Sequence, residues 1–533
     1  MRLALGILWI GLGLLYSQVL FFEPLNYDDS LYLSNHPAAE LSLGSFLFWK
    51  TLFLSASVNL WHPLTDLSHQ ILFRIHAEPA IHHIGNVLLH GLSASVWLLL
   101  FKRITGRVDF ALAATLLFAW HPITVESVAW ISGRKDLLCT FFLSLSVLSY
   151  QQAASKKGKI ISWRLILTAV AALLSKPIAF TLPLLLLAFD YWPLQRSEKF
   201  ITLIKEKWLL FVLSCVSVLL TLYFQSQGTQ VVDDIRSPLI RITEATWSLQ
   251  KSLSSVFWPR NLHFIYSNPE EIRAVWIVMS FLIGFLILSF LLWKRKFLPF
   301  FISGVLWYLF TLGPTLGLIR AGNNLAADRY SYLPLLGLLI GLVGLLAKIK
   351  SIQKFTKISL VTLFVLAALF LPLSYQQISY WRNAEVLFSR VLKHEPRNLI
   401  SHVELASYAN KKGDLEIASE HLKHALEIAP ESPGAHLILG GFAFEKANYA
   451  VAYEHYLVAS KRRSREAWIY ERLAACAHGT GDLVKTREYL LAAFQWARPQ
   501  DHFLNLGEKW QLLFPNEPIP ESRINLSLTS SRF

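Results

Sequence analysis

Long apolar runs separated by short basic segments fill the first 376 residues, and beyond that point the apolar positions recur instead at the spacing of amphipathic helices. The runs lie at about 1–21, 84–101, 108–121, 136–151, 161–175, 177–192, 208–224, 273–293, 297–317, 331–348 and 357–376. A helix needs roughly twenty apolar residues to cross the hydrocarbon core of a bilayer, so the pattern predicts a bundle of about eleven membrane helices. The shortest runs, 108–121 and the two between 161 and 192, are the weakest members of that set. The opening "MRLALGILWIGLGLLYSQVLFF" lacks a small-x-small cleavage site and is followed by many further spans, so it reads as the first membrane helix rather than a signal peptide. The stretch 225–272 contains "ITEATWSLQKSLSSVFWPRNLHFIY", too polar to span alone, and is expected to lie along the interface as an amphipathic helix.

After residue 376 a period of 34 appears. Leu405, Leu439 and Leu473 keep it, as do Ala425, Ala459 and Ala493, and so do Ala418, Ala452 and Thr486. Gly413, Ala447 and Gly481 fall where paired helices would turn. Small residues recurring every 34 positions are the tetratricopeptide signature, because helices that stack in an α-solenoid approach closely at those points. The expected division is a membrane domain over 1–376, a repeat domain over 377–501, and a capping helix ("LGEKWQLLF") with a polar tail over 502–533. The fold class is all-α throughout.

Charge orients the membrane part. Of the 533 residues, 50 are Lys or Arg and 36 are Asp or Glu, a formal net charge of +14. That excess gathers in the loops at 102–107, 156–159, 196–207, 294–296 and 348–357, on alternate sides of the runs as the positive-inside bias requires. Membrane orientation thus accounts for the basicity, and no nucleic-acid partner is expected. The first loop (22–83) and the repeats are placed on the extracytoplasmic side. The three cysteines, Cys139, Cys215 and Cys476, form no CxxC pair and are expected to serve packing.

Against the bias, Arg134, Lys135, Lys176, Arg320 and Arg329 lie near outer helix ends, and cations kept there usually meet an anion. Acids share that face: Asp28 and Asp29 in "LNYDDSLYLSNHP", Asp66 beside His62 in "WHPLTDLSHQ", and Glu126 and Asp136 in "WHPITVESVAWISGRKDLL". A carboxylate held at a useful pKa can take a proton from an incoming hydroxyl, and Arg or Lys can neutralise a departing phosphate. In an extended segment adjacent Asp28 and Asp29 point to opposite sides, so one faces the site while the other anchors the loop. Histidines cluster between residues 36 and 90, but no HExxH pattern occurs and no metal is expected. A nucleotide-binding glycine loop is also lacking, which argues against a sugar-nucleotide donor or ATP coupling, and no cofactor is expected.

Taken in order, "DDSLYLSNHP", "HPLTDLS", "HHIGNVLLH", "HPITVESVAWISGRKDLL", "LLSKPIAFTLP" and "ADRYSYLP", followed by the repeats, resemble the multispanning protein O-mannosyltransferases with tetratricopeptide repeats. These belong to the GT-C glycosyltransferases and include animal enzymes acting on cadherins and bacterial relatives. The resemblance implies a sugar carried on a polyprenyl phosphate, transfer to a hydroxyl, such as a protein Ser or Thr, on the extracytoplasmic face, inversion at the anomeric carbon, and residence in a bacterial inner membrane. It implies Asp28 or Asp29 as catalytic base, with Asp29 slightly preferred, and Arg134, Lys176 and Arg329 as ligands of the donor phosphate. His62 and Glu126 would orient the substrate. The chain departs from the animal members in carrying Thr124 where their "HP" motif has a second histidine, and in its shorter repeat array. Two other classes fit part of the pattern: a membrane scaffold presenting repeats, for which one span would suffice, and a flippase for lipid-linked sugars, which would hold its charges near the midplane.

Overall fold

The protein is described by a computed structural model that covers residues 1–25, 27–33, 36–39, 41–54, 60–155, 160–226, 237–266, 298–317, 324–349, 353–496 and 503–520, with 282, 284 and 289. The expected span at 273–293 falls almost wholly outside the described residues, as do the basic residues at 156–159 and 294–296, Arg320, and the tail from 521. The chain divides into two compact units, one of Met1–Leu33, Ala56–Gln225 and Asp233–Glu395, the other of Ser34–Ser55, Ser226–Val232 and Pro396–Phe533.

In the first unit the helices are α1 (Arg2–Leu15), the single-turn α2 (Asp29–Tyr32), α4 (Pro63–Ile75), α5 (Pro79–Thr105), α6 (Val108–Ala119), α7 (Val125–Ala129), α8 (Arg134–Ser155), α9 (Trp163–Ser175), α10 (Leu182–Tyr191), α11 (Phe200–Glu206), α12 (Trp208–Ser226), α13 (Pro238–Phe257), α14 (Pro299–Leu312), α15 (Tyr332–Ile349), α16 (Gln353–Ser379) and α17 (Ala384–His394). The second unit contributes α3 (Phe46–Leu54), the hairpins α18–α19 (Leu399–Lys412, Leu415–Ile428), α20–α21 (Pro433–Glu445, Tyr449–Arg462) and α22–α23 (Ala467–Gly479, Leu483–Trp496), and α24 (Phe503–Leu513).

Six helical stretches among the described residues are long and apolar enough to cross a membrane: Arg2–Phe21, Pro79–Thr105, Ile131–Ser155, Trp208–Ser226, Asp328–Lys348 and Thr356–Ser379. A seventh, α6 with Pro122–Ala129, is bent by 51°. The bend falls at His121-Pro122, where proline offers no N–H to continue the helix and His121 Nδ1 accepts from Ile123 N at 3.1 Å. The expectation of eleven crossings is therefore met only in part. α9 and α14 have 13 and 14 residues, which rise about 20 Å against a core of about 30 Å. Close backbone approach joins α14 to α15: a Cβ on Gly304 would stand 2.5 Å from the carbonyl oxygen of Gly337, so glycine is what permits the contact.

α13 forms where the interfacial helix was expected, with its polar side turned inward. Thr243, Glu244, Ser248, Ser252 and Ser255 are buried, while Leu239, Ile240, Ile242 and Phe257 are exposed. Ser248 donates to the Leu325 carbonyl at 2.8 Å, and Ser252 lies 2.7 Å from the hydroxyls of both Tyr308 and Ser331. Such inversion suits a helix whose outer face meets lipid.

The core of the hairpin unit follows the 34-residue ladders. Leu405, Ala418, Ala425, Ala452, Ala459, Leu473, Thr486 and Ala493 are all buried. Each turn adopts the left-handed region, with φ of +88° at Gly413, +56° at Ala447 and +82° at Gly481. Cys139 and Cys476 are buried, as packing residues should be, but Cys215 is exposed on α12.

Candidate active site

Five helices bring the site together because of the directions in which they run. α5, α8 and α15 begin near it and end toward Lys102, Ser155 and Lys348, whereas α6 and α9 arrive at it with Trp120 and Lys176 as their C-caps. α5 packs on α6, α8 and α15, and α8 packs on α9. The first turns of α8 and α15 therefore contribute the positive ends of their dipoles to a face that already carries cations.

The loop after α1 is pinned there by Asp29. Its Oδ2 accepts from Leu25 N at 2.9 Å, and its Oδ1 accepts from Ser132 N at 3.1 Å and Ser132 Oγ at 2.7 Å. The acceptor sites of this buried carboxylate are thus committed to the 131–133 turn and to its own loop. That turn packs tightly: a Cβ on Gly133 would stand 2.3 Å from the Ser127 carbonyl oxygen. Burial raises the Asp29 pKa to about 6 despite the bonds from Ser132 and Leu25, which act the other way.

Asp28 is half-buried, and among the described residues its carboxylate accepts no hydrogen bond. Desolvation raises its pKa, and the charges of Lys135, Arg329 and His62, in that order, oppose the rise. Three basic side chains thus face one carboxylate. Lys135 is itself buried without an ion-pair partner among the described residues, its ammonium held 4.9 Å from the Trp130 ring centre and 5.4 Å from that of Tyr32. The Arg329 guanidinium lies 5.3 Å from the Trp130 ring centre, so one indole carries both cations.

Glu126, Lys176 and Asp136, the remaining charged groups of the site, are held in two ion pairs. Arg329 Nη1 is hydrogen-bonded to Glu126 Oε1, and the Arg329 backbone N–H donates to Glu126 Oε2 at 3.1 Å. Lys176 Nζ is bonded to Asp136 Oδ1, leaving Asp136 Oδ2 buried without a partner. Asp136, Lys176, Thr315, Arg329, Tyr330 and Leu333 line a cleft of about 280 Å³, counting the part open to solvent.

His62 is fully buried, with Nε2 2.9 Å from the Tyr32 hydroxyl and Nδ1 3.4 Å from Asp66 Oδ1. Its bond to Tyr32 sets it beside the ring whose centre lies 5.4 Å from the Lys135 ammonium. His69 Nδ1 and His82 Nδ1 approach to 3.3 Å nearby. Among the described residues, no group of three or more His, Cys, Asp and Glu side chains is arranged to hold a metal ion.

Arg134 stands apart from the other cations. Its guanidinium donates from Nε to Asn86 Oδ1 at 2.9 Å, from Nη2 to the His82 carbonyl at 2.6 Å and from Nη1 to the Ser68 carbonyl at 3.4 Å. It thereby staples α4, α5 and α8, and a Cβ on Gly85 would stand 2.9 Å from its Nη2. The structure thus gathers Asp28, Asp29, His62, Glu126, Lys176 and Arg329 with Lys135, expected from sequence only as one of the outer cations, and adds Tyr32, Trp130 and Ser132, to which no role was attached from sequence. The signal for Lys135 was present: it is the second cation of "GRKD", displaced by 100° around the helix from Arg134.

No family model matches the chain. It is 23% identical over 425 residues to a protein O-mannosyl-transferase of Caenorhabditis elegans, covering 76% of this chain and 60% of that protein. It is 33% identical over 153 residues to protein O-mannosyl-transferase TMTC4 of Mus musculus, covering 25% of this chain and 21% of that one. With protein O-mannosyl-transferase tmtc2 of Xenopus laevis it shares 38% identity over 125 residues, or 23% of this chain and 15% of that one. The matches span less than two thirds of the length of each of these relatives. By name these homologues are glycosyltransferases, and they support the resemblance carried by the motifs.

Proposed function

We propose that this integral membrane protein is a glycosyltransferase that moves a hexose, mannose by analogy with its relatives' names, from a polyprenyl phosphate to a hydroxyl of a protein acceptor on the extracytoplasmic face. The observation that carries the reading is Asp28: a carboxylate with no hydrogen bond among the described residues, set before Lys135 and Arg329 at the end of a helical bundle. Asp28 takes the proton of the acceptor hydroxyl as its oxygen attacks the anomeric carbon. The bond from that carbon to the phosphate oxygen breaks, and the phosphate leaves with the electron pair. Attack opposite the leaving group inverts the centre. Lys176, Arg329 and Lys135 meet the charge on the leaving phosphate, the role that preorganised cations fill where negative charge develops.

Asp29 and Arg134 hold the loop and the helices around this centre, and Glu126 orients Arg329. A donor whose tail stays in lipid and whose sugar meets a soluble acceptor calls for a site at the membrane rim, which suits carboxylates placed directly after the first helix. The helix hairpins, read as tetratricopeptide repeats, offer a surface for an extended polypeptide.

The test is Asp28→Asn in membranes supplied with polyprenyl-phosphate mannose, with transfer read as added hexose mass on the acceptor. A loss of about 10²–10⁴-fold is expected for removal of a general base. Transfer at the wild-type rate by this variant would sink the assignment.

A further inference from the structure

The helix hairpins hold a feature that transfer chemistry does not use. On α18, His402 donates from Nε2 to the Pro396 carbonyl at 3.0 Å, and its Nδ1 lies 3.1 Å from Nδ1 of His421 on α19. The next hairpin repeats the arrangement 34 residues later. There His436 Nε2 donates to the Pro430 carbonyl at 2.8 Å, and its Nδ1 lies 2.9 Å from Nδ1 of His455. In the third hairpin the corresponding residues are Tyr470 and Tyr489, and the Tyr470 hydroxyl keeps the carbonyl bond, to Ser464 at 3.0 Å.

A carbonyl oxygen only accepts, so the ring proton of His402, and likewise of His436, sits on Nε2. Each neutral ring therefore presents a bare Nδ1 lone pair toward its partner imidazole. A ring whose far N–H is tied to a backbone carbonyl, with its near nitrogen free, is how metal-ligating histidines are usually oriented. Two nitrogens bound to one ion at about 2.0 Å stand roughly 2.8 Å apart at a right angle and about 3.3 Å apart at the tetrahedral angle. The observed separations of 3.1 and 2.9 Å lie between these limits. In the ion's absence one proton shared between the nitrogens holds each pair. For binding, His421 and His455 need only move that proton to their own Nε2, with no net release.

We propose that His402–His421 and His436–His455 are two equivalent sites for a divalent transition-metal ion of the imidazole-preferring class, each completed by water and each clamping the two helices of one hairpin. At the first site His424, whose ring centre is 5.2 Å from that of His402, is the nearest further imidazole, and it is bonded to Glu427 at 3.2 Å.

The experiment uses the full chain in detergent with an affinity tag that contains no histidine, titrated with Cu²⁺ against a competing chelator and followed by electron paramagnetic resonance. Wild type should bind two Cu²⁺ with imidazole-nitrogen couplings, H421Y or H455Y one fewer, and the double variant two fewer. Tyrosine is the replacement because the third hairpin already carries it at both positions. Equal stoichiometry in wild type and double variant would overturn the proposal. Should the double variant not fold, the wild-type melting temperature decides: it should rise with Cu²⁺ and return with chelator, and no rise overturns the proposal. Transfer activity enters neither readout.

Discussion

Burial raises the pKa of both aspartates that follow the first helix, but only Asp29 has hydrogen-bond donors aimed at its ionised form. A carboxyl whose folded pKa lies above its unfolded value binds more protons folded than unfolded in the interval between them. Stability is then highest below the unfolded value and declines as pH rises through the folded one. For Asp29 the interval runs from 3.8 to about 6. Thermal stability should therefore fall as pH rises across it, and Asp29→Asn should flatten that slope in a melting series. The same variant turns an amide donor toward the Leu25 N–H or the Ser132 donors, yet it should keep far more transfer activity than Asp28→Asn. Lys135 acts on the other carboxyl. Its charge lowers the Asp28 pKa, so Lys135→Gln should move the acid limb of the kcat/KM profile to higher pH, because the base then ionises later. An unmoved acid limb would remove Lys135 from the environment of the base. Sequence shows the acid pair and the "GRKD" cations, but the extended segment expected around the pair is a helical turn, Asp29–Tyr32, with Asp28 at its N-cap. Sequence does not show which aspartate is tied down, since two of the three donors to Asp29 belong to Ser132, 103 residues away.

At the scale of elements, hydrophobic period and proline placement account for most of what forms. Serine and asparagine start helices where their side chains accept from the third residue on, as Asn398 does from Ser401 N and Asn383 from Val386 N. The turns of the three hairpins need a left-handed residue, and two of them supply glycine. Ala447 adopts φ of +56° with a Cβ in the way. Ala447→Gly should stabilise the hairpin by about 1 kcal/mol, the usual cost of that conformation for an L-residue, and chemical denaturation of the full chain would measure it. Length is where the pattern read from sequence overreaches. The apolar runs around 161–192 are real, but they fold as helices of 13 and 10 residues, α9 packed on α8 and α10 packed on α14, each shorter than a straight crossing needs.

For the whole molecule, the basic helix ends and the candidate site fall at opposite ends of α5 and α15. Lys102 and Arg103 close α5 and Lys348 closes α15, where cations also suit the helix dipole. If the basic ends face the cytosol, the helix hairpins are extracytoplasmic. A phosphatase reporter fused at the C-terminus should then be active and a fluorescent-protein reporter dark, and the reverse pattern would invert the topology and remove the acceptor from the site. The amino-acid sequence by itself determined the apolar runs, the basic segments between them, the 34-residue ladders and an ordered set of acidic and basic motifs, because each depends on composition or on a period within one element. Only the tertiary structure decided that the Asp28 carboxylate accepts no hydrogen bond among the described residues, that Arg134 is spent on Asn86 and two carbonyls, and that Lys135 and Arg329 share one indole. Those outcomes depend on which groups meet across packed helices, as Glu126 and Arg329 do over 203 residues of chain, and no local period encodes a meeting of that kind.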